Sequence, residues 1–134
     1  MARGKALLLG FDPMPATRID TRRGWIGPRQ REVVEAVQRA LQTGLAIPDH
    51  GCIRLVEHDD GAMIAPPGKG PSYLMVEITL FPGRSLEIKR RLYAALVEEL
   101  GAFGVPASDI QTVLIEVEPV NWGLQGIPAS EIGP

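Results

Sequence analysis

Twice in this chain the same order of segments recurs. A short alternating segment leads into a turn, then an amphipathic helical stretch, then an apolar residue followed by proline, then a second alternating segment. In the first half these are Ala16 to Asp20, Arg29 to Gly44, Ile47-Pro48 and Cys52 to Glu57. In the second half they are Tyr73 to Phe81, Ser85 to Leu100, Val105-Pro106 and Ile110 to Val117. Recurrence at this scale marks an internal duplication. A strand, a crossover helix and a returning strand make a parallel pair, and two such units can share one sheet with both helices on one face. The predicted fold is therefore α/β: two β-α-β units forming one four-stranded mixed sheet.

The helical stretches carry their own signatures. Val33, Val37, Ala40 and Leu41 recur at helical spacing, as do Ile88, Leu92, Ala95, Leu96 and Leu100. Pro28 suits a first helical position, Gly44 a C-terminal cap, and Ser85 an N-cap with Glu87 favouring the dipole. Residues 59–72, with Pro66, Pro67 and Pro71, read as a loop joining the halves. The predicted organisation is an extension over 1–13 and one domain over 14–134, divided into a first unit (14–58), the loop (59–72) and a second unit with its tail (73–134).

At 134 residues the chain has room for one domain. A net charge of −2 argues against nucleic-acid binding by bulk electrostatics. The single cysteine permits no intrachain disulfide, and Cys52, in an apolar strand with no His/Asp relay, reads as structural. The apolar run Ala6 to Phe11 falls short of a signal-peptide core, and none approaches a bilayer span. The expected location is cytoplasmic, with no membrane partner. His50 and His58, at opposite ends of one strand without a third ligand, make no metal site, and no phosphate loop or dinucleotide fingerprint is present. No cofactor is expected.

Three stretches carry a resemblance: MPATRIDTRRGW from Met14, YLMVEITLFPGRSLEIKRR from Tyr73, and EVEPVNWGLQG from Glu116. In their order and spacing they resemble the tautomerase superfamily, and within it the malonate semialdehyde decarboxylase-like, tautomerase-2-like group. The resemblance implies a β-α-β-β-α-β fold, a trimeric assembly, a small carboxylate substrate, and a catalytic proline made N-terminal by loss of the initiator methionine. The proline at the matching point is Pro15, directly after Met14 but internal in this sequence. A free α-amino group titrates near neutrality and can take up a proton, whereas an internal proline nitrogen is an amide and cannot.

Arg84 sits between a strand and a helix, where its guanidinium can grip a carboxylate through two parallel hydrogen bonds. The resemblance gives that position to substrate binding. Two departures from the family pattern stand out. Relatives with dehalogenase or decarboxylase activity have a second arginine just before this one, where this chain has Phe81, Pro82 and Gly83; Arg54 or Arg18 could supply the missing grip. The aspartate expected three residues beyond the connector proline is Gly51, unless a one-residue shift brings in Asp49 or His50. The missing aspartate weighs against hydration and decarboxylation chemistry, and proton transfer between carbon and oxygen is less affected. Glu116 aligns with an acidic residue that activates water in some dehalogenating members; its bland reading is a solvent-facing side chain. Asn121 and Trp122 either line the pocket or pack a subunit contact. The rival to an enzyme is a binding or assembly module with its proline blocked by residues 1–13.

Alternation also bears on assembly. Leu74, Val76, Ile78 and Leu80 share one face of their strand, and Met75, Glu77, Thr79 and Phe81 the other; Gln111, Val113, Ile115 and Val117 likewise share a face. Two helices cover only one side of the sheet, and a partly apolar second side calls for other copies of the chain. A homotrimer is predicted.

Overall fold

The computed structural model describes residues 15–132; the extension over 1–13 and Met14 lie outside the described residues. Strand β1 (Ala16–Arg22) is followed by helix α1 (Gln30–Leu45), β2 (Cys52–His58), β3 (Leu74–Leu80), α2 (Leu86–Gly101) and β4 (Ile110–Glu116). The sheet order is β2-β1-β3-β4. β1 runs parallel to β2 and β3 parallel to β4, while β1 and β3 meet antiparallel at the centre. This is the expected mixed sheet of two β-α-β units. Exchanging the halves leaves the strand order unchanged, so a half-turn relates them.

Periodicity decides the packing. In α1 the buried residues are Val33, Ala36, Val37, Ala40, Leu41, Gly44 and Leu45, one stripe along the helix. In α2 they are Leu92, Leu96 and Leu100, with Ile88 and Ala95 partly buried. Both stripes pack on Ile19, Leu74, Val76, Ile78 and Leu80 in one core. Ser85 caps α2, its hydroxyl accepting the Ile88 N–H at 3.2 Å. α1 differs from expectation at both ends. Arg29 is its N-cap, one residue beyond Pro28, and Ala46 closes it in a left-handed conformation (φ 55°). Gly44 lies inside α1 because the helices cross there: a Cβ on it would stand 2.6 Å from the Leu92 Cα.

The tail after β4, read from sequence only as rich in Gly and Pro, is ordered. β5 (Gly123–Leu124) and β6 (Ile127–Pro128) pair as a hairpin. Gln125 and Gly126 both have positive φ (57° and 85°), as a two-residue hairpin turn requires. The tail covers Phe81, which is 1% exposed and packs with Ala129, Trp122 and Leu124. The sheet side away from the helices thus keeps Met75, Glu77 and Thr79 but loses Phe81 to the tail. Residues 59–72 are tied down by Arg22, whose Nη2 donates to the Met63 carbonyl (3.1 Å), and by the Gly70 N–H, which donates to Asp109 (3.2 Å). Tyr73, just before β3, is 6% exposed; its hydroxyl donates to Gln111 (2.7 Å) and its carbonyl accepts from Thr21 (2.7 Å).

Candidate active site

Register places the chemistry at one end of the sheet. Ala16 is opposite both Cys52 and Thr79, and Leu80 is opposite Glu116. The starts of β1 and β2 and the ends of β3 and β4 therefore share an edge. Pro15, buried, precedes β1, and Asp49 and His50 precede β2. Arg84 follows β3; Glu116 ends β4, with Asn121 and Trp122 just beyond it. Seven of the nine site candidates named from sequence thus lie at this end, and Arg18 and Arg54 do not. Arg54 lies further in along β2, on the face away from the helices and opposite Arg18.

The Arg84 turn is held at both ends. The Val117 N–H donates to the Leu80 carbonyl at 2.8 Å, and Ser85 is fixed by its cap. Gly83 has φ 118°, a backbone state that glycine alone adopts without strain. Its freedom turns the chain from strand to helix and sets Arg84, half-buried, just ahead of the α2 N-terminus. That helix end carries partial positive charge, so it adds to the guanidinium in favouring an anion. Arg84 Nη1 donates to the Phe81 carbonyl at 3.3 Å. The Phe81 ring meets Trp122 edge to face, with centroids 5.5 Å apart and planes at 79°. Trp122 thus forms an apolar wall beside the turn, while Asn121 is exposed.

The remaining candidates already have local partners. Asp49 Oδ1 accepts the Gly51 N–H at 2.9 Å, closing a turn. His50 Nδ1 lies 2.7 Å from the Gly51 carbonyl. A carbonyl only accepts, so Nδ1 carries the proton in this contact. Glu116 receives Lys89 at 3.0 Å; it is exposed, as the solvent-facing reading expects, and is also ion-paired on the helix side of the sheet. Arg54 is exposed. Cys52 is exposed as well, because edge strand β2 points it away from the helices.

Sequence reading missed one cluster. Arg18 donates to Asp20 through Nε (2.9 Å) and Nη2 (3.1 Å), and His58 Nε2 lies 2.6 Å from Asp20 Oδ1. Burial alone would raise the Asp20 carboxyl, but the hydrogen bonds from Arg18 and His58 outweigh it and hold the group below the ordinary aspartate value. Alternation already set Arg18 and Asp20 on one face; the parallel register that brings His58 beside them was the part not visible. Among the described residues no group of three His, Cys, Asp or Glu side chains could hold a metal ion. No helix among them is long and apolar enough to cross a membrane.

Two helices on one face of a four-stranded mixed sheet are the fold of a known class of enzymes, and the sequence match agrees. The tautomerase enzyme family model matches residues 51–125, and the chain belongs to that family. The probable tautomerase of Ralstonia nicotianae is 30% identical over 57 residues, 42% of this chain and 81% of its own. Malonate semialdehyde decarboxylase, solved in wild-type, inactivated and first-residue proline-to-alanine forms, superposes with a TM-score of 0.75 at 19% identity, over 85% of this chain and 93% of that one. FG41 malonate semialdehyde decarboxylase, inhibited by 3-bromopropiolate, gives 0.72 at 31% identity, over 85% and 92%. A fused 4-OT solved as a symmetric trimer gives 0.74 at 21% identity, over 85% and 95%.

Proposed function

We propose that this chain is a tautomerase that moves a proton between carbon and oxygen of a small enolisable carboxylate, with Pro15 as a freed N-terminal amine. The observation that carries the reading is the placement of Pro15, directly before β1, at the sheet end that also bears the Arg84 turn. The active unit then begins at Met14, whose removal exposes the proline, and residues 1–13 are an extension dispensable for catalysis. A solved relative studied with its own first-residue proline replaced supports giving the role to this position.

The chemistry follows from the groups. An N-terminal proline amine has a pKa of about 8 when exposed, and burial beside a cation lowers it toward neutrality. It accepts the α-proton of a 2-oxo acid and returns it to the alternative atom. Arg84 holds the substrate carboxylate with its planar fork, and the developing enolate is stabilised by the same cation and the α2 N-terminus. Arg54, exposed on the far face, offers a second cation to a substrate lodged at a subunit boundary. Trp122 and Asn121 wall the pocket, and Asp49 or His50 can serve as the acid partner. Three copies, as in the trimers of solved fused 4-OT, would cover the open sheet side.

The test is a chain starting at Met14, shown by mass to begin at Pro15. It should ketonise phenylenolpyruvate and lose that activity when treated with 2-oxo-3-pentynoate, a reagent that inactivates one solved relative. The full chain, with its proline in an amide, should do neither. If the Pro15-started chain is as inactive as the full one across a panel of 2-oxo acids, the enzyme reading fails. The chain is then an assembly or binding module, a reading favoured by the internal position of Pro15.

A further inference from the structure

The turn that presents Arg84 is closed by a side-chain pair for which the proton-transfer reading has no need. From Leu80 to Ser85 the chain leaves the sheet and enters α2. One anchor is β4: Leu80 is opposite Glu116, and the Val117 N–H donates to the Leu80 carbonyl at 2.8 Å. The other anchor is the first turn of α2, where Ser85 accepts the Ile88 N–H through its hydroxyl (3.2 Å) and the Lys89 N–H through its carbonyl (3.1 Å). Lys89 Nζ then reaches back to Glu116 Oε2 at 3.0 Å, with the two side chains only 26% and 35% exposed. The contacts make a closed circuit, from Leu80 through the turn to Ser85, on to Lys89, across to Glu116 and back to Leu80. Arg84 lies on the one stretch of that circuit with no ladder or helix of its own, and Gly83 gives the stretch its greatest backbone freedom.

We infer that Lys89 and Glu116 are a positioning pair that fixes the Arg84 turn against the end of β4 and so sets the geometry of carboxylate recognition. The inference rests on the reading of Arg84 as the carboxylate grip. It assigns Glu116 a task other than acid–base transfer: one of its oxygens is engaged by Lys89, on the helix side of the sheet. A bidentate grip depends on the angle of the guanidinium plane, so a loosened turn weakens substrate capture before it touches the proton-transfer step.

The experiment has two arms, with Lys89→Met, Glu116→Gln, the double variant, and the exchange Lys89→Glu with Glu116→Lys. In the full chain, hydrogen exchange of the Ile88, Lys89 and Val117 amides, whose hydrogen bonds close the turn, is followed, with β2 as the internal reference. Each single variant should speed exchange in the turn about three- to ten-fold and leave β2 unchanged. The double variant should be no worse than either single, and the exchanged pair should restore protection. In the chain beginning at Pro15, each single variant should raise KM for phenylenolpyruvate by up to about five-fold, the range of a half-exposed ion pair, with kcat within two-fold. Positioning requires both singles to raise KM. A purely electrostatic role would move KM in opposite directions, because one variant removes a cation and the other an anion near the substrate. Opposite signs, or an undisturbed turn, overturn the inference. So does a fall in kcat on Glu116→Gln that the exchanged pair fails to recover. If the Pro15-started chain turns nothing over, the proposed function fails, while the exchange arm still decides whether the pair holds the turn.

Discussion

Replacing Gly44 by alanine tests the closest approach in the helix layer. An added methyl carbon would stand 2.6 Å from the Leu92 Cα, 3.2 Å from its nitrogen and 3.3 Å from its Cβ. The first two are backbone atoms and no rotamer change moves them, so α1 and α2 must separate by roughly 1 Å to restore ordinary carbon contacts. Both helices bury their stripes on the same sheet, and separation opens gaps along Leu41, Leu45, Leu92 and Leu96. Overpacking of this kind costs about 1–3 kcal/mol, with alanine returning about 1 kcal/mol through helix propensity. The net loss is up to about 2 kcal/mol, or up to roughly 8 °C in Tm for a chain of this size, and against a control alanine that gains the same propensity the full packing cost is read. Gly101, the last residue of α2, is the control: nothing lies within 4 Å of its added carbon. Gly101→Ala should melt at or slightly above wild type. Calorimetry at one fixed concentration compares the two, since assembly makes Tm concentration-dependent. A Gly44→Ala protein that melts with or above Gly101→Ala would refute the helix-contact argument.

Four further outcomes are expected. Ser85→Ala removes the α2 cap and should lower stability by about 1 kcal/mol in urea unfolding, with KM rising as the Arg84 turn frays. Arg84→Ala should cut kcat/KM on a carboxylate substrate about 10- to 100-fold while circular dichroism stays unchanged, and Arg84→Lys should recover only part of the loss because ammonium lacks the planar fork. Asp20 is held below its ordinary value, so its contribution is complete above about pH 4 and is lost as pH falls through the lower folded-state value. Asp20→Asn should therefore lower Tm at pH 7 and narrow the gap between Tm at pH 7 and pH 3; an unchanged gap would remove Asp20 from the acid response. Light scattering with size exclusion should give trimer mass at micromolar concentration, and monomer mass would contradict the covering of the open sheet face.

The architecture was legible because burial and period agree. Val33, Val37, Ala40 and Leu41 could form a buried stripe only on a helix, and Leu74, Val76, Ile78 and Leu80 only on a strand. Gly44 was misread as a cap because a glycine near a helix end has two explanations, and the choice between them lies in α2, some fifty residues away. The tail hairpin was missed because Gln125 is not a usual turn residue and its strands are two residues long. The residues of the candidate site could be named from motif and alternation, but not their partners. Lys89 meets Glu116, and His58 meets Asp20, through pairings between elements that alternation along one strand cannot register.

The half-turn that relates the two units bears on stoichiometry. Each unit brings one residue to the entrance of a central strand, Pro15 before β1 and Tyr73 before β3. Tyr73 sits inside the chain, its N–H donating to the Gly70 carbonyl at 3.2 Å and its hydroxyl to Gln111 at 2.7 Å. No trimming at the N-terminus makes that nitrogen an amine. If three copies assemble, six geometrically related corners result, of which at most three could carry a titratable nitrogen. A reagent aimed at the amine saturates at one equivalent per chain, and that plateau would report how the duplicated halves are joined, without any communication between sites.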